Sequence, residues 1–122
     1  MKFVTVEVQN EWLKAGSRLK RLMTAVDAYS QWHFGIEINV TDVFRLPPPS
    51  SPHNDGRACD LRSIGAYSES QRAELRDWTN LSFPYGPGSD LYGTCKYERK
   101  GTANSNGSVA TGDHLHFQVR PI

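Results

Sequence analysis

Val4, Val6 and Val8 alternate with Thr5 and Glu7, a period of two that predicts a half-buried strand. The period changes after Gly16 and Ser17. Leu19, Leu22, Met23, Val26 and Tyr29 then fall on one helical face, with Arg18, Lys20, Arg21 and Asp27 off that stripe. Gly35 ends this amphipathic helix. Ile36, Ile38 and Val40 restore the alternation and predict a second strand that runs on toward Phe44. The segment from Arg45 to Pro52 contains consecutive prolines, which continue neither a ladder nor a helix, so it reads as a stiff surface connection.

Arg57 to Leu61 reads as a short central strand. Ser68, with Gln71 three positions later, is a capping-box start for a helix that reaches Trp78. Tyr92 to Glu98 alternates as a strand, and His114 to Val119 closes the chain as another. Between them, Lys100 to Gly112 is rich in Gly, Asn, Ser and Thr and has no periodicity, the pattern of a long functional loop. Helices and strands interleave without a βαβ rhythm, so the fold class is α+β with a mostly antiparallel sheet. A chain of 122 residues holds one such domain, spanning 1–122.

Composition narrows the function. With 38% apolar and 22% charged residues the chain is neither disordered nor a coiled coil. A formal net charge of +1 supplies no field to draw it to nucleic acid or an anionic membrane. No apolar run approaches the roughly 20 residues of a membrane span. The N-terminal pattern is not that of a signal peptide, so the chain is expected to stay in the cytoplasm where it is made. Cys59 and Cys95 are too few for a disulfide scaffold, though a bridge is open to them if their strands are neighbours. Trp12, Trp32, Trp78, Tyr85 and Tyr92 are expected in the core and its rim.

The chemistry concentrates in two short motifs. Three of the four histidines lie there: His53, seven positions before Asp60, and the pair His114 and His116 after Asp113. His33, the fourth, closes the first long helix, where an imidazolium suits the dipole. An H-x-H on a strand presents both rings on one face. Asp60 sits on its own strand, with Cys59 pointing to the opposite face, and Gly56 lets the chain turn between His53 and Asp60. Two histidines and one carboxylate suit zinc, and three protein ligands leave a position for water, the layout of a catalytic site.

The run Ser51-Pro52-His53-Asn54-Asp55-Gly56-Arg57-Ala58-Cys59-Asp60 matches S-x-H-x-x-G-x-A-x-D without a gap, and Asp113-His114-Leu115-His116 supplies D-x-x-H. These motifs resemble those of the zinc D-Ala-D-Ala carboxypeptidases and L-alanyl-D-glutamate endopeptidases, phage endolysins among them, which share a fold group with the hedgehog signalling domain. The resemblance extends from Gly35 to Val119. It implies a small antiparallel sheet with helices packed on one side. It also implies zinc held by His53, Asp60 and His116, and Asp113 as general base. Arg45 fits the upstream arginine that contacts substrate in such enzymes; Arg57 and Ser51 join it as candidate substrate-binding residues. The second motif also resembles the closing motif of lysostaphin-type peptidases. Those enzymes, however, set their histidine and aspartate closer together than His53 and Asp60.

The function implied is a monomeric zinc metallopeptidase that hydrolyses amide bonds in peptidoglycan stem peptides. The enzyme would reach the wall on phage lysis or by an unseen route of secretion. His114 is either an outer-shell donor or stabiliser of the tetrahedral intermediate, or a surface strand histidine. Arg57 is equally a substrate contact or an exposed strand residue. Two other readings stay open: a non-enzymatic zinc-containing binding module of the same fold, and a zinc peptidase acting on a non-wall peptide.

Overall fold

The computed structural model describes residues 1–43, 56–63, 65–85, 94–98 and 113–120. The sequence-predicted site residues Arg45, Ser51 and His53 lie outside them, as does the segment from Lys100 to Gly112. Among the described residues, five strands and three helices follow one another as β1 (Lys2–Phe3), α1 (Val6–Leu13), α2 (Ser17–Phe34), β2 (Asn39–Asp42), β3 (Ala58–Arg62), α3 (Glu69–Ser82), β4 (Cys95–Glu98) and β5 (His114–Gln118). The sheet order is β1-β2-β3-β5-β4. Only the β1–β2 pairing is parallel; the other three are antiparallel. This is a small α+β domain with a mixed, mostly antiparallel sheet and helices packed on one face.

The first strand departs from the sequence pattern. Thr5 is an N-cap whose side chain accepts from the Val8 amide at 3.1 Å, so Val6 and Val8 enter a helix rather than a ladder. Only Val8 is buried in that helix, and Val6 and Leu13 stay exposed. A local cap thus overrides an alternation only three valines long. The second strand is shorter than predicted and begins at Asn39. Ile38 is fully buried, but its amide donates to Asp27 Oδ1 at 3.0 Å and its carbonyl accepts from Lys2. A side chain of α2 thereby holds the entry to β2. Burial works to raise the Asp27 pKa, but that amide, Gln31 and the chain's amino terminus together hold it below the usual value.

Helix α2 follows its sequence stripe: Leu19, Leu22, Met23 and Val26 are buried, and Gly35 adopts φ 71°, the left-handed C-cap that a side chain would disfavour. His33 meets Glu74 at 2.7 Å in the last turn of α2. Tyr29 stacks on Trp78 with ring centroids 4.0 Å apart, which joins α2 to α3. Trp32 departs from the expected rim placement and is 80% exposed. Helix α3 extends to Ser82 and starts with both halves of the capping box formed, Ser68 to the Gln71 amide and Gln71 to the Ser68 amide. Ser68→Ala removes one of these bonds, and urea denaturation should show a loss of about 1 kcal/mol.

The core lies between α2, α3 and one face of the sheet. Cys59, Leu61, Leu115 and Phe117 alternate onto that face and are essentially inaccessible. Cys59 and Cys95 both register against Phe117, one from each side of β5. They are therefore two strand spacings apart, roughly 10 Å, beyond disulfide reach. Both are free thiols in the core, and burial raises both pKa values, that of Cys59 well above the ordinary range.

Candidate metal centre on the β3–β5 ladder

The opposite face of the sheet carries the polar side chains. In β5 the period of two that sends Leu115 and Phe117 to the core sends His114, His116 and Gln118 the other way. Asp60 of β3 stands directly across from His116, and Glu98 and Lys96 of β4 stand across from His114 and His116. Asp60, His116, His114, Glu98 and Gln118 are all buried, with Asp60 at 3% and His116 at 6% exposure. Burying so many polar groups is costly unless they satisfy one another. They do so through a connected set of contacts.

His116 Nδ1 lies 3.0 Å from Asp60 Oδ1, and its Nε2 lies 3.0 Å from Gln118 Oε1. A neutral imidazole has one N–H. Given to the Gln118 carboxamide oxygen, that proton leaves the Nδ1 lone pair facing a carboxylate oxygen. Given instead to Asp60, the proton makes an ordinary hydrogen bond to the carboxylate, and a doubly protonated ring donates to both partners. With a metal on Nδ1, Gln118 would be the outer partner that fixes the tautomer and orientation of the histidine. A carboxylate and an imidazole are donor types that zinc takes, and here the described residues bring two of them together.

His114 continues the network. Its Nε2 is 2.7 Å from Glu98 Oε2 and 3.6 Å from Asp60 Oδ2, so the ring stands between two carboxylates. Lys96 Nζ meets the other Glu98 oxygen at 3.0 Å. Burial works to raise the Glu98 pKa, but the bond to His114, the His116 ring and Lys96 outweigh it and bring the carboxyl down to about 2. The alternative of a surface strand histidine does not describe His114, which is 9% exposed.

Asp113 lies just before β5, three positions from His116. Its Oδ2 accepts from the Tyr97 hydroxyl at 2.9 Å. Tyr97 registers with Leu115 on the helix side of the sheet, and the Arg72 guanidinium of α3 lies over its ring. Asp113 is thus held from the sheet edge by Tyr97. Arg57 is half-buried and donates from Nη1 to the Val119 carbonyl at 3.1 Å, which closes the end of the β3–β5 ladder.

Of the three metal donors expected from the motifs, Asp60 and His116 are brought together, and His53 lies outside the described residues. Among the described residues no group of three His, Cys, Asp or Glu side chains is arranged to hold a metal ion. Sequence reasoning missed Glu98, Lys96 and Gln118. Gln118 was within its reach, since it continues the H-x-H period by one more step. Glu98 and Lys96 join the network only through the β4–β5 register. The β2–β3 ladder adds a bulge beside the site, where the register shifts so that Asp42 pairs with Asp60. No helix among the described residues is long and apolar enough to cross a membrane. Comparison of the chain with protein-family models, with curated proteins and with solved structures finds no match to any of them.

Proposed function

We propose that the protein is a zinc-dependent peptidase that hydrolyses amide bonds in peptidoglycan stem peptides. The observation that carries the reading is the Asp60–His116 pair: two metal-type donors 3.0 Å apart on adjacent strands, with Gln118 on the outer nitrogen of the histidine. The peptide substrate comes from the motif resemblance around Asp60 and His116. Asp60, His116 and His53 would hold the ion. Bound zinc supplies Lewis acidity, which acidifies water and polarises a carbonyl.

The chain's own carboxylates divide the proton handling. Glu98 is engaged by both His114 and Lys96, so it is suited to orienting His114 rather than to accepting a proton. The motif resemblance assigns the general base to Asp113, whose carboxylate accepts from the Tyr97 hydroxyl. It takes the proton from the attacking water and passes it to the leaving amine. His114, held by Glu98 beside Asp60, is the residue we assign to stabilising the developing oxyanion. Burial of this face lowers the local dielectric and strengthens each of these interactions.

The test is mass spectrometry of purified muropeptides incubated with zinc-loaded protein, with and without chelator. Chelator-sensitive fragments are expected, and their masses tell carboxypeptidase from endopeptidase cleavage. Intact muropeptides with zinc bound would overturn the reading in favour of a zinc-containing binding module or a non-wall peptide substrate.

A further inference from the structure

A groove of about 310 Å³ opens at the C-terminal end of β5, at the small end of the range for ligand pockets. Three guanidinium groups line it: Arg18 and Arg21 from the start of α2, and Arg120 just beyond β5. Arg18 Nη1 donates to the Arg120 carbonyl at 3.0 Å, which ties the two segments together. The ion pairs formed among the described residues include none of these three arginines. The first turn of α2 carries no acidic side chain to offset them. Three like charges around one concavity repel one another, and an anion placed among them relieves that repulsion.

The rest of the wall shows what kind of anion suits it. Phe83 and Tyr85 offer aromatic surface, and the Arg120 guanidinium lies 5.8 Å from the centre of the Tyr85 ring. A bare inorganic ion has no use for that surface. Gln118 lines the groove as well, and its Oε1 is the atom that meets His116 Nε2 at 3.0 Å. Gln118 is thus the residue common to the groove lining and the candidate metal centre.

We infer that this groove is a binding subsite for an acidic peptide, with Arg21 and Arg120 taking a carboxylate and the aromatic wall taking the adjoining apolar part. A guanidinium fork matches a carboxylate bidentately. The assignment of the ligand as a peptide rests on the peptidase reading above, while the anion preference stands on the three arginines themselves.

The test is calorimetric titration of the protein as purified with a short stem peptide carrying free carboxylates, with its fully amidated analogue, and with glycerol phosphate. The acidic peptide should bind, and the amidated analogue should bind at least about fivefold more weakly. Arg21→Gln and Arg120→Gln should each weaken the acidic peptide by about five- to tenfold, in keeping with partly exposed charge-assisted bonds. Arg76→Gln, on the exposed face of α3 beside Asp77, should leave affinity unchanged. Matching melting temperatures establish that the variants fold.

Equal affinity for the amidated peptide, or unchanged binding in both arginine variants, would overturn the proposal. Tighter binding of glycerol phosphate at the same arginines would overturn the peptide assignment. The two readings separate cleanly in the muropeptide assay. Hydrolysis with an unaltered KM in both variants removes the subsite and keeps the peptidase. Arginine-dependent binding without hydrolysis keeps the subsite and removes the peptidase.

Discussion

Asp60→Asn should abolish peptide hydrolysis and weaken zinc binding by more than about 100-fold, measured by competition against a chromogenic chelator. The substitution keeps the shape of the side chain and a polar atom opposite His116, but it removes the negative charge. In the metal-ligand reading, that charge offsets the ion and supplies one of its bonds. A companion variant, Gln118→Ala, should cost about 10- to 100-fold in zinc affinity, because it frees the outer nitrogen that fixes the His116 tautomer. Stability supplies an independent readout. If zinc binds the native protein and not the unfolded chain, excess zinc should raise the melting temperature of the wild type. In Asp60→Asn that shift should disappear. Unchanged zinc affinity in Asp60→Asn would mean that Asp60 and His116 form a structural hydrogen-bonded pair with no metal.

Much of this arrangement is legible in the sequence because it depends on local periodicity. The stripe from Leu19 to Val26, the Gly35 stop and the Ser68–Gln71 box each involve residues close in the chain, and each forms as the pattern predicts. The common face of His114 and His116 follows equally from strand alternation. Other features depend on pairing, which no local pattern encodes. Asp60 and His116 are 56 positions apart, and only the antiparallel register of β3 with β5 makes them neighbours. The insertion of β5 between β3 and β4 brings Glu98 to His114 and separates Cys59 from Cys95. That topology is a property of the whole sheet. The N-terminal valines misled for the opposite reason. The relevant signal there was local, the Thr5 cap, and alternation concealed it.

Asp113→Asn should lower kcat by about 10²- to 10⁴-fold, the usual contribution of a general base. Zinc content and melting temperature should stay at wild-type values. Asparagine still accepts from the Tyr97 hydroxyl, so the sheet edge keeps its geometry and only the capacity to take a proton is lost. Tyr97→Phe provides the graded comparison. It leaves the Asp113 carboxylate in place but removes the group that aims it, so its loss should be smaller, about tenfold, and confined to kcat. Glu98→Gln separates the second carboxylate. If Glu98 orients His114, the amide can still meet the ring, and activity should fall less than in Asp113→Asn. The reverse ranking would move the base to Glu98, on the same sheet face as Asp60 and His116. Loss of zinc from Asp113→Asn would instead make Asp113 a metal ligand. The ranking of these variants decides the roles, since both carboxylates lie next to β5 and only one can be the principal base.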